Sequence, residues 1–417
     1  MVSTPSFLPP EADREADSSP RGLSGALRPA WVEVDLDALV GNFERLRRTV
    51  APSRVMAVLK ADAYGHGAPF AARALARAGV DWIAVALLEE GAELRRAGVE
   101  QPILVLGTAQ RPQLPLYRRY SLTPTLSSLD QIDLWRAFGE EVRRRQPVHL
   151  KVDTGMNRLG VATDQIPRAL ELLRSDRHLE LSGLITHFAE ADTPASPSNA
   201  AQQRRFEAVL DQLTAAERSR LLIHAANSAA GLHHPASRHQ LVRFGLALFG
   251  LDPADREAAR GAPGDLEPVM SVVTRIVQRR TLEAGAAVGY GGRWRAERPS
   301  EIAVVPVGYA DGYAWRLTPG ARALVGGTSA PLVGSVTMDM SMIDVTGLGA
   351  EVGDEVVLLG RRGDHAIDAW DLAESAGTIP WEMLCLLGLR MPRRYRSEGR
   401  IEEVSARFSS SRGQGLW

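Results

Sequence analysis

From Val55 to about Leu248 the chain alternates short apolar runs with longer amphipathic stretches, and this rhythm constrains the fold more than any other feature. The runs Val55–Leu59, Trp82–Ala86, Ile103–Leu106, Leu122–Thr125, Val148–Val152, Leu181–Thr186, Leu221–His224 and Gln240–Val242 have the length and composition of strands. Between them, segments such as Pro69–Ala78, Glu89–Ala97, Leu129–Phe138, Ile166–Leu173 and Ala201–Leu213 carry helical spacing. Eight strands alternating with helices over roughly 220 residues predict an α/β fold, a (β/α)8 barrel of the TIM type. A doubly wound sheet competes, but the Gly-rich phosphate fingerprint it needs after its first strand is missing.

After Pro268 the texture changes. Ser271–Val277, Glu301–Val307, Ala321–Val325, Met342–Val345 and Glu355–Leu359 are short, β-rich and separated by Gly and Pro, which predicts a mostly β C-terminal domain over 269–405. The barrel is expected over 28–268, with the early run Trp31–Val34 pairing into the β domain. Residues 1–27 and 406–417 read as disordered tails. The 417 residues suit two domains, and 45% apolar with 24% charged content suits a soluble globular protein. A net charge of -1 gives no reason to expect nucleic acid or an acidic membrane as partner. No run of about twenty apolar residues exists to span a bilayer. The N-terminus lacks the basic and apolar regions of a secretion signal, so a cytoplasmic protein is expected. The single cysteine, Cys385, excludes an intrachain disulfide and a cysteine-based zinc site; in the run MLCLLGL it is expected to be a buried core thiol.

Polar residues suited to chemistry fall at the ends of the barrel strands: Lys60, Lys151 with Asp153, His187, Asn227 with Ser228, and Arg243. Catalytic groups of such barrels sit on the C-terminal face, so the placement agrees with the fold. Of the 49 basic residues only Lys60 and Lys151 are lysines. A chain that uses Arg wherever charge suffices keeps lysine where guanidinium will not do. An amine can shed its proton and attack carbon, to give a Schiff base with an aldehyde or a carbamate with carbon dioxide.

The run AVLKADAYGHG from 57 resembles the pyridoxal-phosphate (PLP) lysine signature of alanine racemases. KVDTGMNRLG from 151, THFA from 186, HAANSAA from 224, VRFGLALFG from 242, GYGG from 289, VGYADG from 307 and TMDM from 337 follow in the family's order. The resemblance implies a PLP-dependent racemase, with alanine the expected substrate, D-alanine supply for peptidoglycan the role, and no metal. It makes Lys60 the Schiff-base lysine and one base, and Tyr290 the second base, reaching the active site of the partner in a homodimer. A free phenol titrates near 10, so Tyr290 would need cationic neighbours. Arg243 is expected opposite the pyridine nitrogen, with His187 hydrogen-bonded in the Arg243–Tyr290 group. Tyr64, Ser228 and the amides of Gly245 and Leu246 would take the phosphate, with Asn227 beside them. Arg158 would hold the phenolic oxygen and, with the Met338 amide, the substrate carboxylate. Tyr309 and Asp339 are supporting positions.

Two points stay open at this stage. Lys151 matches a carbamylated lysine of the family that orients Arg158; an unmodified amine pairing with Asp153 is the alternative. Trp381 stands where many members carry a tyrosine against the phosphate, and indole donates a hydrogen bond but accepts none. Strict alanine preference is therefore not fixed by the motifs, and a racemase for serine, lysine or several amino acids competes. Decarboxylases and aldolases on this barrel fit Arg243 and Tyr290 less well. A non-catalytic PLP-binding homeostasis protein is the rival of another class. His233, His234 and His239 read as a polar loop.

Overall fold

The computed structural model describes residues 28–254, 266–388, 390–398 and 400–405; both expected tails lie outside these residues. The first strand, β1 (Ala30–Asp35), leads into helix Leu36–Val50, capped by the Asp35 carboxylate. Then follow β2 (Arg54–Val58), β3 (Trp82–Val85), β4 (Ile103–Val105), β5 (Leu122–Leu126) and β6 (Gln146–Asp153). A two-residue strand, β7 (Val161–Ala162), precedes β8 (Leu179–Ile185), β9 (Leu222–His224) and β10 (Leu241–Phe244). The parallel order is β10-β2-β3-β4-β5-β6-β8-β9, with β7 appended to β6. The sheet is closed not by a full ladder but by two backbone bonds, Gln240 N to Ile223 O and Arg243 N to Ala226 O. The eight expected strands are all present, within two residues of their sequence limits. Two boundary differences matter: Arg243 lies inside β10 rather than after it, and Lys60 stands two residues beyond the end of β2.

Because strand side chains alternate between faces, residues two apart share the lumen. Met56 and Val58, Leu222, and Leu241 join Ala84 and Leu104 in a separate apolar cluster, with Trp82 and Leu106 packed on it. On the same registers, one or two steps further toward the C-terminal ends, stand Lys60, His149 and Lys151, His224 and Arg243. The lumen thus grades from an apolar floor to a polar top, where loops meet it.

The C-terminal region forms a mostly antiparallel sheet, eleven-stranded among the described residues. The early strand joins it: β1 pairs antiparallel with β11 (Met270–Arg275) and parallel with Arg393–Ser397. One continuous apolar core runs from the barrel's outer layer into this sheet.

Candidate active site

Lys60 opens a tight turn in which Ala61, Asp62, Ala63 and Tyr64 all have φ between 52° and 54°. Four consecutive non-glycine residues in the left-handed region cost about 1–2 kcal/mol each, so the surroundings must over-determine them. Glu90 accepts from the Ala61 amide at 2.7 Å and Asp62 from the Ala68 amide at 2.7 Å. His66 donates through Nδ1 to the carbonyls of Ala63 (2.8 Å) and Tyr64 (3.0 Å) and stacks on Phe249. Arg393, from the strand beside β1, donates to Gly65 O at 2.8 Å. A Cβ at Gly65 would stand 2.6 Å from Leu384 O, so only glycine lets the helix Pro380–Leu386 approach. These contacts aim the lysine at the barrel mouth. Burial and then Arg158 lower the Lys60 pKa, which favours the neutral, nucleophilic amine.

Below it lies a buried cationic group. Arg243 Nη1 donates to His224 O (2.8 Å) and His224 Nδ1 (3.2 Å). Its Nη2 donates to Thr186 O (2.8 Å), Ala225 O (2.9 Å) and His187 Nδ1 (3.0 Å). With the terminal amino hydrogens so engaged, Nε–H is the donor left for something in the cleft. Burial brings Arg243 down to about 9, and burial with Arg243 drives His187 well below the usual histidine range. Lys151 is buried on β6, its pKa lowered to about 8 by desolvation and then by Arg243 and Arg158. It forms no ion pair with Asp153 among the described residues. Asp153 instead accepts from the amides of Gly155 (2.9 Å) and Asn157 (3.1 Å), so the expected Lys151–Asp153 alternative is not what the loop builds. Arg158 is exposed on the loop that follows β6.

A cleft of about 260 Å³ is lined by Lys60, Tyr64, His187, Asn227, Ser228 and Arg243, with Gly245, Leu246 and Trp381 closing it. Ser228 begins helix Ser228–His233, and Asn227 caps it through Oδ1 to the Ala230 amide at 3.0 Å. The Gly245 amide donates to Ser228 Oγ at 3.0 Å, and a Cβ there would lie 2.4 Å from the Tyr64 hydroxyl. A serine and a tyrosine hydroxyl thus converge on backbone that only glycine lets so close, and the Arg243 Nε–H on the same cleft has no acceptor among the described residues. This donor set fits PLP: an amine for the aldehyde, hydroxyls and amides for the phosphate, a cationic donor for the ring nitrogen. A larger cavity of about 490 Å³, between the barrel rim and the β-rich region, touches none of the candidate residues.

Six expected site residues do not line this cleft: Lys151 and Arg158, described above, and four from the C-terminal region. Tyr290, 80% exposed, and Tyr309, Met338 (53% exposed) and Asp339 do not line the cleft of their own chain. Cys385 corrects an expectation: it is exposed, because helix Pro380–Leu386 turns Pro380, Met383 and Leu384 inward instead. His233 pairs with Asp252 at 2.9 Å while His234 and His239 face other partners. Sequence reasoning missed Glu90, Asp62 and Arg393 as clamps of the lysine turn, and His149 and His224 in the lumen. The glycines of AYGHG were the only sequence signal for the turn.

Family models for the N-terminal and C-terminal domains of alanine racemase match residues 34–253 and 269–395. An alanine racemase of Symbiobacterium thermophilum is 43% identical over 374 residues, covering 89% of this chain and 98% of that protein. One from Synechocystis is 41% identical over 87% of this chain and 98% of its own length. The solved structure of the Bacillus anthracis alanine racemase with bound L-Ala-P superposes with a TM-score of 0.85 at 33% identity, covering 91% of this chain and 98% of that one. That of Bartonella henselae, with covalently bound pyridoxal phosphate, gives 0.80 at 30% identity, over 88% and 99% of the two chains. With both domain models matched in order and relatives aligned nearly end to end, the chain belongs to the alanine racemase family.

Proposed function

We infer that the reaction centre is completed only in a homodimer, where the cleft around Lys60 in one chain meets the exposed Tyr290 loop of a second. As a family member the chain is a PLP-dependent isomerase that interconverts L- and D-alanine. When bound, PLP supplies an electron-withdrawing ring that takes up negative charge from the substrate's α-carbon. Inverting that carbon needs proton removal on one face and return on the other, and the cleft of a single chain offers one suitable base, the Lys60 amine. Tyr290, held out in solvent on a Gly-flanked turn, is the second. That exposure is the observation that carries the reading.

Within the cleft, Lys60 binds the cofactor and moves the proton on its own face. Tyr64, Ser228 and the Gly245–Leu246 backbone hold the phosphate, with Asn227 fixing the helix that presents Ser228. Arg243 offers Nε–H, which cannot accept a proton, and so leaves the ring a weaker electron sink than a carboxylate would. His187 braces Arg243 from the side. Arg158 and the Met338 amide of the second chain receive the substrate carboxylate; Tyr309 and Asp339 support that loop. Lys151 serves as a carbamate whose negative charge draws Arg158 inward from its exposed position. Trp381 walls the cleft where its bulk limits the substrate side chain. No helix among the described residues is long and apolar enough to cross a membrane; a cytoplasmic enzyme feeding D-alanine to peptidoglycan completes the reading. Racemisation measured across a panel of L-amino acids with PLP supplied tests it. Alanine is expected to turn over fastest; protein that takes up no PLP and leaves L-alanine optically unchanged overturns it.

A further inference from the structure

The racemase reading leaves two lumen residues without work. His149 on β6 and His224 on β9 are both fully buried, in a region that barrels usually fill with branched apolar side chains. Burying imidazole there is costly unless its nitrogens are paired. The fold makes room for it deliberately: a register shift between β6 and β8 sets Gly183 opposite His149, and a Cβ at Gly183 would lie 2.6 Å from the imidazole ring.

The protons along this chain can be assigned from donors alone, since a guanidinium never accepts. Arg243 Nη1 stands 3.2 Å from His224 Nδ1, so that nitrogen is an acceptor and the His224 proton sits on Nε2. His224 Nε2 lies 2.9 Å from His149 Nδ1, which must then accept, leaving the His149 proton on Nε2. That last nitrogen is buried with no protein partner among the described residues. Protonating either ring would set donor against donor. Burial pushes the same way, taking His149 down to about 3 and His224 well below the usual range. The groups facing them are cationic or aromatic: Arg243 and, further off, His239 for His224; Arg243 and the Trp82 ring for His149. Every acceptor around the terminal nitrogens of Arg243 is therefore a neutral carbonyl or imidazole. A carboxylate in their place would cancel the charge that Nε–H presents to the cleft.

We propose that His149 and His224 form a proton-locked relay, a single fixed tautomer chain that positions Arg243 on the cleft floor with only neutral acceptors on its terminal nitrogens. His149 is then a positioning residue that acts on the reaction from outside the cleft. The inference rests on the racemase reading of Arg243, and the experiment keeps the two separable.

Histidine-15N NMR of the holoenzyme reads the tautomers directly. Both rings are expected to be neutral with the proton on Nε2 from pH 6 to 9, in the presence or absence of L-alanine; a ring that titrates in this range, or carries Nδ1–H, overturns the relay. Two variants then test its purpose. His149→Phe fills the volume but removes the acceptor, so the His224 proton is freed to move to Nδ1 and kcat falls about tenfold or more with little change in KM for alanine. His149→Gln restores an acceptor for His224 Nε2–H and is expected to recover most of that loss, with the native His224 signature. Equal kcat in the two variants, at equal melting temperature, overturns the proposal. Should His149→Phe not fold, the native tautomers and His149→Gln decide it. Failure to bind PLP in any form would instead strike the racemase reading, whatever the tautomers show.

Discussion

Lys151 shows how one side chain's charge state is decided by its neighbours. It is buried beside Arg243 and Arg158 and within the field of Lys60, with its pKa lowered to about 8, and Asp153 is committed elsewhere. A neutral amine at near-physiological pH is the form that captures carbon dioxide, releasing one proton as the N–C bond forms. The carbamate would bring a negative charge into a cluster that is otherwise positive. The sign of the linked stability follows. With a folded pKa near 8 and an unfolded value near 10.5, the unfolded chain binds more protons between those limits, so stability rises with pH across that window. The full shift is worth about 3 kcal/mol. In carbon-dioxide-free buffer the apoprotein is therefore expected to gain melting temperature from pH 8 to about 10, relative to Lys151→Met. Adding bicarbonate should raise stability at the lower end and flatten the climb. Melting curves indifferent to bicarbonate would remove the carbamate from the account.

At the scale of elements, the left-handed turn after β2 depends on pieces drawn from far along the chain. Arg393 is nearly buried on the strand parallel to β1 and donates to both Gly65 O and Leu387 O at 2.8 Å. It thereby joins the turn that carries Lys60 to the end of the helix that carries Trp381. Arg393→Leu leaves those carbonyls without their donor, at a cost of about 2–4 kcal/mol. Calorimetry should show the lower melting temperature, and titration with PLP a weaker affinity, because a relaxed turn no longer aims the amine. Unchanged PLP affinity in a destabilised variant would mean that Glu90, Asp62 and His66 hold the turn unaided. The run AYGHG carries two glycines, but the four left-handed residues are Ala, Asp, Ala and Tyr, none of which signals that conformation to the degree glycine does.

For the whole molecule the question is where the second base comes from. Tyr290, Tyr309 and Met338 are large, exposed and absent from the cleft of their own chain, as are the neighbouring exposed Trp315 and Met340. Exposed apolar groups of this size call for a partner surface. A mixing experiment separates shared from self-contained sites. Homodimers of Lys60→Ala and of Tyr290→Phe are each expected to be nearly inactive. After dissociation and reassociation together, a mixed dimer holds one doubly defective site and one with both native residues, so activity should return to about a quarter of wild type, half the dimers being mixed and each having one of two sites. No recovery on mixing, with exchange verified by mass, would place both bases in one chain.

The sequence by itself determined the barrel and the β-rich second half, because these follow from local rules, and it put Lys60, His187, Asn227, Ser228 and Arg243 near strand ends; Tyr64, Gly245, Leu246 and Trp381 came from the family resemblance. Short continuous apolar runs alternating with amphipathic stretches commit a chain to buried parallel strands and covering helices, and polar residues at strand ends reach the same rim in any barrel of this kind. Only the tertiary structure decided the rest. His149 and His224 meet across 75 residues of chain, Arg393 reaches back 328 residues to Gly65, and Gly183 faces the imidazole only because the register shifts there. Contacts like these depend on strand order and closure, which no window of neighbouring residues encodes, and they set the charge states from which the chemistry proceeds.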